Sequence, residues 1–501
     1  MISELYLKLK ELKISIRLVD GRLDIEAPRG VLNNELLSKI KLHKEELIQL
    51  ITSNMKLKKS HQSIVKASLQ SSYPMSSSQR QLWLLSQFEE GSVAYHMPGV
   101  YVFEGNLDRK ALKLSFNSLL ERHEILRTIF REDERGEVGQ VVLEEIKFNI
   151  SYQDLQQVED RHEKIRALVQ QDLIRPFDLA SGLLIRAGLY QVEVHQWIFT
   201  YTMHHIISDG WSMNILIREL LLFYTSYSKG EINNLLPLPI HYKDYAVWQQ
   251  QQLNSDAFLL HQKYWLKQFE GDLPVLELFG DYVRPAVKTY NGGLIHQILA
   301  KDLALKFGTL IQQQHATLFM GLLALVNTLL YRYTGQGDQV IGSPVAGRGH
   351  VDLEDQIGFY VNTLALRSRF NGTDSFKAVL AQVRKVTTEA YEHQAYPFDE
   401  LIDALMLQRD MSRNPLFDVM VILQNNEAKK IAEYRMDDLI VSNYADAMQT
   451  TSKFDLAFSF AESAEGIQFS IGYNSDIFTA ETVSRFASHL EQLMVAVLDF
   501  P

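Results

Sequence analysis

The sequence predicts layered α/β architecture preceded by a small α+β module. Two observations carry this. Apolar, strand-like runs alternate with amphipathic helical patterns through both halves of residues 73–501. Near the N-terminus two alternating runs flank Asp20-Gly21, a strong hairpin signal. With 501 residues, 46% of them apolar, the chain supplies more than one core.

The elements follow in chain order. Residues 2–12 carry Ile2, Leu5, Leu7, Leu9 and Leu12 at helix-like spacing. Residues 14–19 and 22–27 alternate at period two, and Pro28 and Gly30 break the pattern. A second amphipathic helix over 34–51 carries Leu36, Leu37, Ile40, Leu42, Leu47 and Leu50. A hairpin on so few helices leaves strand edges open, and an open edge accepts another chain as an added strand; a purely structural cap is the alternative. The polar stretch from Thr52 to Ser72 is a linker. Residues 1–70 are net +5 and the remainder is −16 of the total −11, so a basic module precedes an acidic one.

Further along, the run from Trp197 to Met203 reads as a buried strand, and a helical pattern over 212–227 stops near Gly230. Between them lies His204-His205-Ile206-Ile207-Ser208-Asp209-Gly210-Trp211-Ser212. A titratable pair at a strand-to-helix turn is open to three roles. Both histidines can be hydrogen-bonded core residues. His204, His205 and Asp209 can bind a metal, although adjacent strand residues point to opposite faces. One histidine can serve acyl transfer by acid–base or positional catalysis, with Asp209 tying down the turn through a buried ion pair and Gly210 allowing a substrate arm to pass. Beyond this, residues 318–330 form an apolar core helix containing Asn327, too short for a bilayer, and residues 480–498 form an amphipathic one.

Composition excludes several classes. The absence of cysteine rules out disulfides, thiolate catalysis and thiolate metal sites, and fits a reducing cytoplasm. The start is not a signal peptide, and the acidic balance argues against general nucleic-acid binding. There is no GxSxG elbow, P-loop, Rossmann fingerprint or Gly-Gly-x-Ser attachment site.

The spacing His204-His205-x-x-x-Asp209-Gly210 resembles the signature of chloramphenicol-acetyltransferase-like acyltransferases, and within them the condensation domain of nonribosomal peptide synthetases. Six further segments stand in that family's order: Ser76 to Trp83, Arg122 to Phe130, Tyr242 to Trp248, Ile357 to Thr363, His393 to Asp399 and Arg409 to Phe417. Ser78, Gln81 and Ala395 depart from its usual Ala, Arg and Asp. At the N-terminus Val19-Asp20-Gly21-Arg22-Leu23, Ala27-Pro28-Arg29-Gly30 and His43-Lys44-Glu45-Glu46-Leu47 resemble the docking domain of the tubulysin-synthetase type.

These resemblances imply a docking domain (1–55), a linker (56–72), and two chloramphenicol-acetyltransferase-like lobes, 73–245 and 246–501, arranged as a V-shaped pseudo-dimer. One active site, in a tunnel between lobes, is implied. There His205 reacts, His204 supports the loop, Gly210 admits the arm, and Asp209 pairs with Arg348. Trp211, Ser212, Ser343, Gly358 and Asn362 are the tunnel residues, with the Trp211 and Ser212 amides as candidate oxyanion donors. Arg122, Glu124 and Arg127 read as a structural charge cluster, and Trp83 and Trp248 as core or lobe-interface residues. The strand of Lys13, Ile14, Ser15, Ile16, Arg17, Leu18 and Val19 receives the C-terminal tail of an upstream synthetase subunit, an acidic one by charge.

The implied reaction joins an upstream carrier-bound acyl or peptidyl thioester, L-configured at the donor, to a downstream carrier-bound aminoacyl thioester. The chain binds no cofactor or metal itself. Phosphopantetheine arms enter on partner carrier domains, and the chain is part of a larger cytoplasmic multidomain synthetase, without nucleic-acid or membrane partners. Two other readings stand beside this one: a non-catalytic carrier-binding platform, and an acyltransferase acting on a free soluble amine.

Overall fold

The computed structural model describes residues 15–19, 22–26, 63–87, 93–145, 147–231, 233, 235–407, 410–424, 435–436, 439–444 and 451–501. The chain divides into two compact units, Met1–Ile64 and Val65–Pro501. In the first, β1 (Ser15–Val19) pairs antiparallel with β2 (Arg22–Glu26), with Leu18 opposite Leu23 and Val19 opposite Arg22. Lys13, Ile14, the Asp20-Gly21 turn, Ala27 and both expected helices lie outside the described residues, as does Arg409.

The first half of the second unit runs β3 (Tyr73–Pro74), α1 (Ser77–Ser86), β4 (His96–Glu104), α2 (Arg109–Arg122), β5 (Thr128–Glu132), β6 (Val138–Val142), β7 (Ser151–Asp154), α3 (Arg161–Ile174), β8 (Ile185–Glu193), β9 (Gln196–His204) and α4 (Gly210–Lys229). Then come α5 (Tyr242–Leu253), α6 (Asp256–Gln268), β10 (Gly292–Ala300), α7 (Lys301–Gln313), α8 (Leu318–Thr334), β11 (Asp338–Val345), β12 (Asn362–Arg369), α9 (Phe376–Glu392) and α10 (Phe398–Leu405). The chain closes with β13 (Val419–Gln424), β14 (Arg435–Met436), β15 (Leu439–Asn443), β16 (Leu456–Ser463), β17 (Gly466–Asn474) and α11 (Ala480–Asp499).

Each half is built on a six-stranded mixed sheet, ordered β14-β15-β4-β9-β8-β7 and β10-β17-β16-β13-β11-β12. A three-stranded sheet, β3-β6-β5, stands beside the first. This is the mixed α/β class the sequence predicts. The division at 245/246 is not followed throughout, because β15, from the second half, pairs antiparallel with β4, Ile440 opposite Glu104 and Asn443 opposite Tyr101. The β4 edge would otherwise present unpaired backbone groups, and the crossing strand satisfies them.

β9 shows why the sequence around the histidines is apolar without interruption. It lies between β4 and β8, and every residue from Trp197 to His204 is buried. A strand covered on both faces has no reason to alternate. In the other half α8 is buried nearly all round, from Met320 through Asn327. Thr317 caps its start, Gly335 ends it with φ 69°, and Asn327 Nδ2 donates to Leu323 O at 2.9 Å, while the buried Asn327 Oδ1 finds no hydrogen-bond partner among the described residues. Among the described residues, no single helix is long and apolar enough to cross a membrane.

Candidate active site

The end of β9 delivers the two histidines to different surroundings. Strand geometry sends His204 into the first half, opposite His96 across the β4–β9 ladder. Its ring is fully buried and meets His96 and Phe177 edge-on at 6.2 and 6.3 Å. His204 Nδ1 accepts the Ile206 amide at 3.2 Å and so fixes the turn that follows. Burial, reinforced by His96, His205 and Lys453, pushes the His204 imidazole down to about 3.

His205 begins a single 3₁₀ turn, His205–Ile207. Its amide donates to Tyr95 O at 2.8 Å. Its ring is only partly buried and stands edge-on to Phe359, from the second half, at 4.8 Å. Burial, then the Lys453 ammonium, pushes this imidazole down to about 3 against the opposing Asp209 carboxylate. Both histidines are therefore neutral near pH 7.

Asp209 caps α4, two residues earlier than the sequence pattern starts that helix, and its carboxylate is the hub of the site. It accepts the Ser212 amide at 2.8 Å, the Ser212 hydroxyl at 2.7 Å and the Tyr360 amide at 3.0 Å. Arg348, in the loop after β11, donates to its two oxygens at 3.0 and 3.3 Å. The side chains of this ion pair are 0% and 2% exposed. Arg348 also donates to Leu353 O, to Gln356 O at 2.7 Å and to Ser212 Oγ at 2.8 Å, with Tyr360 beneath the guanidinium at 4.3 Å. A loop of the second half is thus clamped to the first turn of a helix of the first.

The remaining expected residues are placed unevenly. Gly210 opens α4, and a Cβ there would meet nothing within 4 Å, so the space beside it is open. Trp211 is 45% exposed and its indole donates to Glu354 O at 2.9 Å, a tie between halves rather than a channel wall. Ser212 is buried within the ion-pair network, and its amide is spent on Asp209, so it is not an oxyanion donor. Ser343 is buried on β11. At Gly358 a Cβ would lie 2.1 Å from Tyr242 Cδ2, because the loop packs directly on that ring. Asn362 is a latch: its amide nitrogen donates to Gln394 O and Tyr396 O at 2.9 and 2.7 Å, and its oxygen accepts the Phe398 amide at 2.9 Å.

The helix-end charges form two neighbouring clusters, one on Glu219 and one on Glu124. Glu219 accepts from Arg122 Nε at 3.0 Å and is joined to His123 Nε2 at 2.7 Å, while Lys243 meets Glu124 at 2.7 Å. Sequence reasoning missed Tyr95, Phe359 and Lys453 as the neighbours of His205. Phe359 lay inside a quoted motif; Lys453 carried no signal, being a lone lysine 248 positions away that folding brings to Tyr95.

Comparison with known proteins agrees with this geometry. Residues 69–501 match the family model described as the condensation domain, and residues 2–52 that of the TubC N-terminal docking domain. Tyrocidine synthase 3 of Brevibacillus parabrevis is 40% identical over 441 residues, covering 88% of this chain and 6% of that protein. Gramicidin S synthase 2 of Brevibacillus brevis is 38% identical over 444 residues, covering 89% and 10%. The chain therefore spans a small fraction of these relatives. The fold is that of the X-domain in its complex with OxyB from teicoplanin biosynthesis, with a TM-score of 0.80 at 23% identity over 88% of this chain and 96% of that one. With a family model covering most of its length and the family's signature residues gathered at one turn between two α/β halves, the chain belongs to the condensation-domain family of nonribosomal peptide synthetases.

Proposed function

We propose that this chain joins two carrier-bound thioesters by an amide bond: an upstream acyl or peptidyl donor, L-configured, and a downstream aminoacyl acceptor. The observation that carries the proposal is the placement of His205, neutral and partly open beside Phe359, while His204 is sealed behind it. The acceptor amine attacks the donor carbonyl; the N–C bond forms, the C–S bond breaks, and the proton lost by the amine ends on the donor arm's thiol. An imidazole held near 3 is a poor base toward an ammonium of pKa about 7.7–8.0. His205 therefore accepts a hydrogen bond from an amine that arrives neutral, and orients its lone pair.

In this reading His204 holds the turn, the open space at Gly210 admits a phosphopantetheine arm, and the Asp209–Arg348 pair keeps the two halves in register. The arms arrive on carrier domains, and the chain itself holds no cofactor. The N-terminal segment recruits the tail of an upstream subunit onto β1 within a cytoplasmic multidomain synthetase.

The test mixes the protein with a donor carrier bearing an N-acetylaminoacyl arm and an acceptor carrier bearing an aminoacyl arm. A panel of amino acids on each is scanned by mass spectrometry for the amide on the acceptor. His205→Ala is expected to lower product at least about 100-fold with the fold intact. Full activity in that variant overturns the role of His205. The second reading, a binding platform, is favoured by one observation, that the X-domain relative was solved in complex with OxyB. Carrier binding without product across the whole panel would establish it, and product with a small free amine would establish the soluble-amine acyltransferase.

A further inference from the structure

We infer that Lys453 is a positioning residue for the condensation proposed above: its ammonium, held against the Tyr95 ring beside His205, keeps the acceptor amine in its neutral, nucleophilic form. The inference rests on that reading and deepens it.

The segment before β16 is pinned by its backbone. Ser452 N donates to Tyr290 O at 2.9 Å, and Lys453 O accepts from Lys288 Nζ at 2.6 Å and Asn414 Nδ2 at 3.1 Å. The side chain then extends until Nζ lies 4.5 Å from the centre of the Tyr95 ring. The carbonyl of that same Tyr95 accepts the His205 amide at 2.8 Å. Lys453 and His205 thus flank one residue.

The cations around this segment are treated differently. Arg284 is paired with Asp455. Lys288 donates to the Asn414 amide oxygen and to Lys453 O, with Asp418 and Asp455 acting on it favourably. Among the described residues Lys453 has no carboxylate within 4.0 Å, only an aromatic face. A partly buried ammonium without a counter-ion is costly to keep, and its field reaches far where water is scarce.

The groups that feel or oppose that field are His205, His204 and Tyr95 at the histidine turn, Lys288 behind the segment, Asp209, which opposes it at His205, and Tyr290 and Asp399, which act on Tyr95. Lys453 depresses the imidazole of His205. An ammonium presented to His205 meets the same repulsion, so the bound amine sheds its proton more readily than in water. Lys453 itself is held down to about 8 by burial and by Lys288, so this field is present below that pH and fades above it.

The test is the pH–rate profile of the full chain, single turnover, with the donor and acceptor carriers that give most product in the panel above. The wild-type rate is expected to rise with an acid limb below the ordinary amine range and then hold level, since above about pH 8 the amine is neutral without help. Lys453→Met should move the acid limb up by about one pH unit and leave the rate above about pH 9 unchanged. Lys453→Arg should restore the acid limb. A readout independent of turnover is the titration of the His205 ring by NMR, assigned by its loss in His205→Ala; it should move upward in Lys453→Met and not in Lys453→Arg. A Lys453→Met profile and His205 titration both superposable on the wild type, in a protein folded by circular dichroism, overturn the inference. A wild-type protein giving no product overturns the condensation reading instead, a distinct outcome.

Discussion

Removing one member of the Asp209–Arg348 pair should be among the most damaging single changes near the site. At 3.0 Å the direct attraction is about 5.5 kcal/mol for an effective dielectric constant of about 20. Both side chains are buried, so deleting one leaves the other charge without its partner, at about 3–5 kcal/mol. In Arg348→Met the Asp209 carboxylate keeps three donors, the Ser212 amide and hydroxyl and the Tyr360 amide, which places the loss toward the lower figure. In Asp209→Ala the guanidinium keeps Leu353 O, Gln356 O and Ser212 Oγ. The double variant strands neither charge and should be less unstable than the sum of the singles by about 1.5–3 kcal/mol. Urea unfolding followed by tryptophan fluorescence measures this, since Trp211 lies 5.8 Å from Arg348. Hydrogen exchange at the Gly358 and Tyr360 amides reports the local clamp. Additivity of the two singles within about 0.5 kcal/mol, or an unchanged Arg348→Met midpoint, would refute the coupling.

The remaining predictions concern pH, space and docking. His96, His204 and His205 are held at about 4, 3 and 3, below the ordinary 6.5, so the unfolded chain binds their protons first and stability falls as pH drops through 6.5. Asp399, raised to about 7, acts oppositely between 3.8 and 7, leaving a net of about two protons, or roughly 2.7 kcal/mol per pH unit near pH 5.5, from these four groups. His204→Gln should reduce that slope by about one proton in urea titrations at pH 7 and 5.5; an unchanged slope contradicts the assignment. Gly210→Ala should leave stability within about 0.5 kcal/mol yet slow condensation, whereas Gly358→Ala, driven into the Tyr242 ring, should cost about 1–3 kcal/mol in the same melts. An acidic tail peptide should bind the N-terminal segment and weaken as salt rises from low to high; salt-independent affinity in fluorescence anisotropy would count against charge-guided docking.

Sequence alone determined the chemistry-bearing turn and the class of fold. The unbroken apolar run before His204 marks a buried strand, because that signal is local in backbone physics, whereas the helical pattern read from 212 misses the Asp209 cap and the start at Gly210. The motif spacing also singled out Arg348 as the distant partner, through resemblance rather than geometry. Only the tertiary structure decided what surrounds these residues. Strand direction and the β4 register seal one histidine and leave the other partly open. The strand Leu439–Asn443 crosses to the opposite sheet, which no local pattern announces. Ser212, Gly358 and Asn362 are taken up by protein partners instead of lining open space, and partners such as Gly358 O for Ser212, Tyr242 for Gly358 and Tyr396 O for Asn362 lie more than 30 positions away. The same is true of Lys453: a lone lysine in sequence acquires a chemical role only when folding sets its ammonium, without a carboxylate among the described residues, next to the histidine turn.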